Sequence, residues 1–302
     1  MDQATGDHRA FLASVPAEAR LRLTATSDRA GLLHLAGHLG LILLVGGLIA
    51  AQVPGWGLLL PVQGVLLVFL FTLEHECTHR TPFRSRWLNE VVGHGCGVVL
   101  VLPFRWFRAF HLAHHRWTNI AGQDPELEGG KPEGLWGWVG HVSGLPYWRS
   151  QGALVWRLAM GGPAGGYVAA GALPGVRAEA RVMLGIYAVA GLSLWWSPVL
   201  VWVWLVPVAL GQPVLRLYLL AEHGDCPQVA DMFRNTRTTF TTGVVRFLAW
   251  NMPYHTEHHV WPAVPFHRLP DLHGMMRDHL GVTAAGYVAF NRAYLARRLR
   301  RA

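Results

Sequence analysis

This sequence is short of charge. Only 15% of its 302 residues are Asp, Glu, Lys or Arg, against about 25% in an average soluble domain, while 52% are hydrophobic. Residues 30 to 73 hold no charged side chain at all, and neither does the run from Val182 to Leu215. Deficits on this scale exclude an ordinary water-soluble globule. Each run is long enough for two crossings of about 17–25 residues and is broken by a turn, at Pro54-Gly55-Trp56-Gly57 and at Trp195-Trp196-Ser197-Pro198. The pattern predicts two helical hairpins, and so an all-α membrane protein with four transmembrane helices.

Other absences narrow the reading. The apolar run Val91 to Phe104 is too short to span, and Leu158 to Val176 is laced with glycine and proline, so neither is expected to cross. The three cysteines, Cys77, Cys96 and Cys226, match no disulfide framework and no C-x-x-C pair, which leaves plain thiols. The start lacks a basic stretch followed by a short apolar core and cleavage site, so no cleaved signal is expected. With no internal repeat or linker, one membrane-embedded domain is expected over residues 1–302. Its parts are an N-terminal segment (1–29), a first hairpin (30–73), an interfacial segment (74–181), a second hairpin (182–221), and a cap with a basic tail (222–302). The 26 basic residues fall 4 before the first hairpin, 11 between the hairpins and 11 from Arg216 onward, with none in an outer turn. The positive-inside rule then puts both termini and the middle segment in the cytoplasm, and it accounts for the net charge of +8 without nucleic acid.

What the sequence has in abundance is histidine, 17 in all. Eight fall in three tight groups: His75 and His79 in "HECTH", His111, His114 and His115 in "HLAHH", and His255, His258 and His259 in "HTEHH". Spacings of i, i+3 and i+4 put the imidazoles of each group on one helix face. "HECTH" alone fits the H-E-x-x-H of a zinc metalloprotease, with Glu76 as general base. A catalytic zinc takes three protein ligands, however, which would leave the other two groups without a purpose. Eight imidazoles suit two metal ions, and affinity order alone does not choose among iron, zinc, copper and nickel. His34 and His38 form a further i, i+4 pair inside the first helix and read as a polar contact within the bundle. His94, His141, His267, His273 and His279 are isolated and read as structural.

Taken in order and separated by a membrane hairpin, "HECTH", "HLAHH" and "HTEHH" resemble the three histidine boxes of the integral-membrane fatty acid desaturase and hydroxylase superfamily. The likeness runs over roughly residues 70 to 275 and takes in "FRAFHLAHHRWTN", "DPEL", "AEHG" and "NMPYHTEHHVWPAVPFHRLP". It implies a non-haem di-iron centre using O2 and two electrons, in an enzyme of a bacterial inner membrane with its active site on the cytoplasmic side. It also implies a ninth histidine near the end of the last membrane helix, where His223 fits. The implied iron ligands are thus His75, His79, His111, His114, His115, His223, His255, His258 and His259. Asn251, or less readily Asn119, would complete the set through water. Glu76 and Glu257 are expected to hold imidazole N–H groups rather than metal, and Glu222, Asp124 and Glu126 either do the same or form surface ion pairs. The Glu and Glu-x-x-His ligands of soluble di-iron bundles do not occur twice in the membrane helices.

The resemblance implies desaturation of a fatty acyl chain or similar apolar substrate. Hydroxylation or ketolation of a lipid, carotenoid or small biosynthetic metabolite is the alternative. Trp136, Trp138, Trp148 and Trp156 read as an interfacial belt, or else as the lining of a substrate tunnel. The chain has no haem, flavin or ferredoxin motif, so the electrons are expected from a separate donor such as ferredoxin and its reductase. The tail arginines Arg292, Arg297, Arg298, Arg300 and Arg301 would dock that donor or anchor the chain to anionic lipid.

Overall fold

The computed structural model describes residues 7–300, which leaves residues 1–6, Arg301 and Ala302 outside the described residues. The chain is mostly helical. Its one departure from the all-α expectation, among the described residues, is a parallel pair of two-residue strands, Thr238–Thr239 with Thr283–Ala284. Three helical stretches are long and apolar enough to cross a membrane: Ala17–Ala50, Trp56–His79 and Val201–His223. The sequence predicts four crossings, and the one that misses this composition test has a cause. The second hairpin's first arm is the helix Leu173–Ser193, whose uncharged half begins only at Val182 and whose first half carries Arg177, Glu179 and Arg181.

Those charges have structural work in the bundle. Arg177 and Arg181 donate to the carbonyls of Gly161 (2.7 Å) and Ala159 (2.9 Å), at and just beyond the C-terminus of the preceding helix, Leu145–Ala159. Glu179 accepts the backbone N–H groups of Phe104 and Arg105 at 2.9 Å each and lies 2.6 Å from His94 Nδ1. A carboxylate at these free N–H groups neutralises the positive end of the helix Phe104–Trp117, which carries the second histidine group. That helix meets the preceding one, Arg86–Leu100, at a bend of 98°, with Val101 in the left-handed region (φ 59°) as the corner. Residues 158–176 form no single helix: the chain leaves Leu145–Ala159, runs through a loop and a 3-10 turn, and restarts at Leu173.

The spans Trp56–His79 and Val201–His223 both end at histidines. They are brought together by an absence of side chain. A Cβ on Gly64 would collide with the Pro207 carbonyl and Gly211, and one on Gly211 would collide with the Gly64 backbone, so the two helices touch backbone to backbone. Since both helices run toward the histidines, the chain between them must return to the far end of the bundle. Leu173–Ser193 leads into that return.

His34 and His38 behave as the bundle contacts expected of them. His34 Nε2–H donates to the Phe247 carbonyl at 2.7 Å. Fully buried His38 lies 2.9 Å from the Leu66 carbonyl through Nε2 and accepts the Trp250 indole N–H at 3.3 Å on Nδ1. The pair thereby fastens the first span to residues 247–250, just ahead of the third histidine group.

Candidate metal centre

Nine imidazoles from four separate parts of the chain converge in the interior. His75 and His79 stand at the end of the helix Leu70–His79, and His111, His114 and His115 on one face of Phe104–Trp117. His223 is the last residue of its span, and His255, His258 and His259 occupy the short helix His255–Val260. All but His79 are buried. Their nitrogens fall into two sets. His75, His79, His111, His115 and His258 form one, with ligand atoms all within 4.8 Å of one another, and His114, His223 and His259 form a second. His255 joins the second, its Nε2 lying 3.1 Å from the Nε2 atoms of both His223 and His259. Rings of His115 and His259, stacked at 4.1 Å, connect the sets.

The tautomers follow from what surrounds the Nδ1 atoms. His114 Nδ1 lies 2.9 and 3.0 Å from the Asp124 carboxylate oxygens, with Glu126 at 3.4 Å. His223 Nδ1 faces the Asn235 carbonyl at 3.2 Å. Thr118 Oγ1 donates its own hydrogen to the His114 carbonyl, so it accepts from His259 Nδ1 at 3.1 Å. His258 Nδ1 is 3.4 Å from Glu76, and His255 Nδ1 is 3.5 Å from Glu222. The partners of His114, His223 and His259 are hydrogen-bond acceptors, which puts the ring hydrogen of these three on Nδ1 and leaves a lone pair on Nε2. Yet the Nε2 atoms of His114 and His223 meet at 3.3 Å, lone pair against lone pair, and those of His115 and His258 (3.2 Å) and of His79 and His111 (2.8 Å) are also brought together. Lone pairs aimed at lone pairs at hydrogen-bond distance repel unless a cation lies among them. Burial and the neighbouring imidazoles hold the pKa values of His255, His258 and His259 well below the usual histidine value, which keeps these rings neutral and able to ligate.

The carboxylates divide. Glu76, fully buried, accepts from Thr81 Oγ1 (3.0 Å) and the Phe266 N–H (3.2 Å) while facing His258. It does not line the cavity beside the histidines, as a protease's general base would have to. Glu257 turns away from the cluster: the expected contact with a box imidazole gives way to Thr238 Oγ1 at 2.6 Å and His273 Nδ1 at 2.5 Å. At i+2 from His255 it lies on the opposite side of a short helix, and His273, read as isolated in the sequence, is there to meet it. Asp124 and Glu222 face imidazoles, as one of their two readings had it. Asn251, in the left-handed region (φ 58°), donates to the Phe266 carbonyl at 3.0 Å, and Asn119 Nδ2 donates to the carbonyls of Cys226 and Pro227. Sequence reasoning missed Thr118, Asn235 and Thr81 as supports, and no periodicity could have found them, because each acts through one long-range or loop contact.

A cavity of about 190 Å³ opens against the histidines. Phe71, Leu102, Trp106, Phe107, Phe110 and Leu219 give it apolar walls, and Tyr147, Gln151 and Arg216 add polar groups beside Glu126 and Glu222. None of the four tryptophans considered for a tunnel lines it. Trp136 and Trp156 are exposed, and Trp148 and Trp138 belong to two other apolar grooves.

Comparison with known proteins agrees with this architecture. The sequence is 39% identical over 83 residues to an sn-1 oleoyl-lipid 12-desaturase of Picosynechococcus sp., covering 26% of this chain and 24% of the relative. It is 30% identical over 89 residues to an sn-1 acyl-lipid omega-3 desaturase (ferredoxin) of Nostoc sp., covering 28% and 24%. A third relative, the omega-6 fatty acid desaturase, endoplasmic reticulum isozyme 1, of Glycine max, is 29% identical over 100 residues, covering 33% and 26%. The matched stretches thus span about a quarter of these relatives. The fatty acid desaturase family profile, by contrast, matches residues 54–291, most of the chain and all nine histidines. With its buried histidine clusters at the ends of apolar helices, this chain belongs to the fatty acid desaturase family.

Proposed function

We propose that the chain is an O2-dependent di-iron oxidoreductase that introduces a double bond into a fatty acyl chain or similar apolar body. The observation that carries this reading is the convergence of nine imidazoles in two sets of ligand nitrogens. His75, His79, His111, His115 and His258 would hold one iron, and His114, His223, His255 and His259 the other. Asn251 and Asn119, engaged with backbone carbonyls, have no part in this assignment. Bound iron would supply the activation of O2. The chain's own residues fix the tautomers of His114, His223 and His259 through Asp124, the Asn235 carbonyl and Thr118, and the aromatic wall of the cavity seats the substrate away from water. In balance, a –CH2–CH2– unit, O2, two electrons and two protons give –CH=CH– and two waters.

The electrons come from a separate donor, of the kind that the Nostoc relative, a ferredoxin-type desaturase, is named for. Arg297 and Arg298 already pair with Asp225, so among the described tail arginines Arg292 and Arg300 have no carboxylate partner and are the candidates for an acidic donor. The basic residues support a cytoplasmic location for both termini and the histidine centre, in a bacterial inner membrane. Leu173–Ser193 serves as the fourth crossing, its 21 residues reaching about 30 Å.

The test is to purify the chain, count its metals, and supply O2, reduced ferredoxin and an acyl substrate, offered both as a lipid ester and as a free acid. Two irons and a product lighter by two hydrogens are expected. A product heavier by one oxygen makes the enzyme a hydroxylase of the same superfamily. One zinc per chain with no O2-dependent product would overturn the reading.

A further inference from the structure

Arg216 lies inside the span Val201–His223, about two turns or roughly 10 Å along the axis before His223. The sequence assigns it to the cytoplasmic charges that follow the second hairpin, but the structure puts it within the helix, lining the cavity beside the histidines. A cation inside a membrane helix is costly and calls for a partner. This one has the face of Tyr147, 4.4 Å from guanidinium carbon to ring centroid. Its buried Nε has no hydrogen-bond partner, and it enters no ion pair among the described residues. One turn along from Tyr147, the Gln151 Oε1 is likewise buried and unpartnered. Both carboxylates of the cavity are engaged elsewhere, Glu126 at His114 Nδ1 (3.4 Å) and Glu222 at His255 Nδ1 (3.5 Å). Neither carboxylate forms an ion pair with the guanidinium, although both lie near enough for their charges to act on it.

A guanidinium stacked on a ring, with its N–H edge open to a cavity, is pre-organised for a planar anion. Gln151 can turn its amide N–H groups to the same ligand. At about 190 Å³ the cavity is also smaller than the ~300–1,000 Å³ of typical ligand sites. We propose that the substrate is a short- to medium-chain carboxylate, docked on Arg216 and Gln151 over the Tyr147 ring, and that the C–H bond to be oxidised lies within about 10 Å of the carboxylate. This deepens the oxidoreductase reading and rests on it. Arg216 is the residue that decides specificity: it selects against a neutral head and sets how far the chain reaches toward the histidines.

The experiment titrates octanoate and octanol into the detergent-purified full chain by calorimetry. The two probes share an apolar body and differ in the charge of the head. Octanoate should bind at least about tenfold more tightly than octanol, and Arg216→Gln should weaken octanoate roughly 10- to 100-fold while leaving octanol unchanged. Arg216→Lys, which keeps the charge and loses the fork, should fall between, and Gln151→Leu should cost octanoate a few-fold. Equal affinity of the two probes in the unmodified chain overturns the proposal, and that comparison needs no variant to fold. So does unchanged octanoate binding in Arg216→Gln, since the carboxylate would then be held at the metal. Iron content and acyl-lipid turnover separate this inference from the reading beneath it. A two-iron chain that desaturates an acyl lipid yet prefers octanol sinks only the carboxylate site. A chain that binds octanoate through Arg216 but holds no iron overturns the oxidoreductase reading and leaves a carboxylate-binding site.

Discussion

The two sets of histidines are built differently. In the set of His114, His223, His255 and His259, three Nδ1 atoms meet hydrogen-bond acceptors supplied by the protein, Asp124, the Asn235 carbonyl and Thr118, and His255 Nδ1 has Glu222 at 3.5 Å. In the set of His75, His79, His111, His115 and His258, His75 has no partner on either nitrogen and His115 none on Nδ1, while His258 has Glu76 at 3.4 Å. Three of the four rings in the first set are held by hydrogen bonds before any metal arrives. The second is aimed mainly by helix packing, with the metal left to fix the rings. A locked site loses little side-chain entropy on binding, so the four-histidine set should hold its ion more tightly although it offers fewer ligands.

The bluntest way to break this comparison is to remove one imidazole from each set. His223→Ala and His75→Ala are both expected to abolish turnover, below about one part in a thousand, and each should leave roughly one iron per chain by metal analysis. Two irons and normal activity in His223→Ala would take the ninth histidine out of the centre. Next in size is the lock itself. Asp124→Asn replaces the acceptor that fixes His114 and should lower metal affinity or activity about 10- to 100-fold. Chelator titration of the unmodified chain should release iron in two steps, and Asp124→Asn should merge them by weakening the tighter site. A single step in the unmodified chain would mean that the sets do not differ.

How much of this was legible in the sequence follows from what kind of contact each feature is. The histidine groups could be read because i, i+3 and i+4 spacings are local and repeated. Three apolar spans could be read because burying charge in a bilayer is so costly that its absence marks them. The failures are long-range. Arg177, Glu179 and Arg181 look like the cytoplasmic approach to a helix, but they are part of it, tying it to residues 94, 104, 105, 159 and 161. Glu257 and His273, sixteen residues apart, choose each other through packing that no pattern encodes. Asn235 contributes only its carbonyl, a group that every residue has.

A smaller effect is expected from Glu76→Gln, in the HECTH stretch shared with metalloproteases. The single amide oxygen of the variant can replace Oε2, which takes Thr81 and the Phe266 N–H, or Oε1, which faces His258 Nδ1, but not both. The longer contact predicts a milder defect than in Asp124→Asn, at the low end of about 10- to 100-fold, partly recovered by added iron. Full zinc occupancy with total loss of activity would return Glu76 to the role of a general base.

The smallest effect on the centre should come from His38→Ala, although His38 is as deeply buried as the histidines of the cluster. Its ring is satisfied on both sides, by the Leu66 carbonyl and the Trp250 indole N–H, with no nitrogen left for a metal. Removing it orphans those two groups and opens a cavity, at a cost of about 2–4 kcal/mol in stability. Iron content and turnover per folded chain should nevertheless stay within about twofold, because the Nδ1 partners of the nine imidazoles do not include it. Thermal unfolding and metal analysis on the same preparation would decide. A lowered Tm with two irons retained is the expected pair of results, and loss of iron at unchanged Tm would mean that His38 takes part in the centre after all.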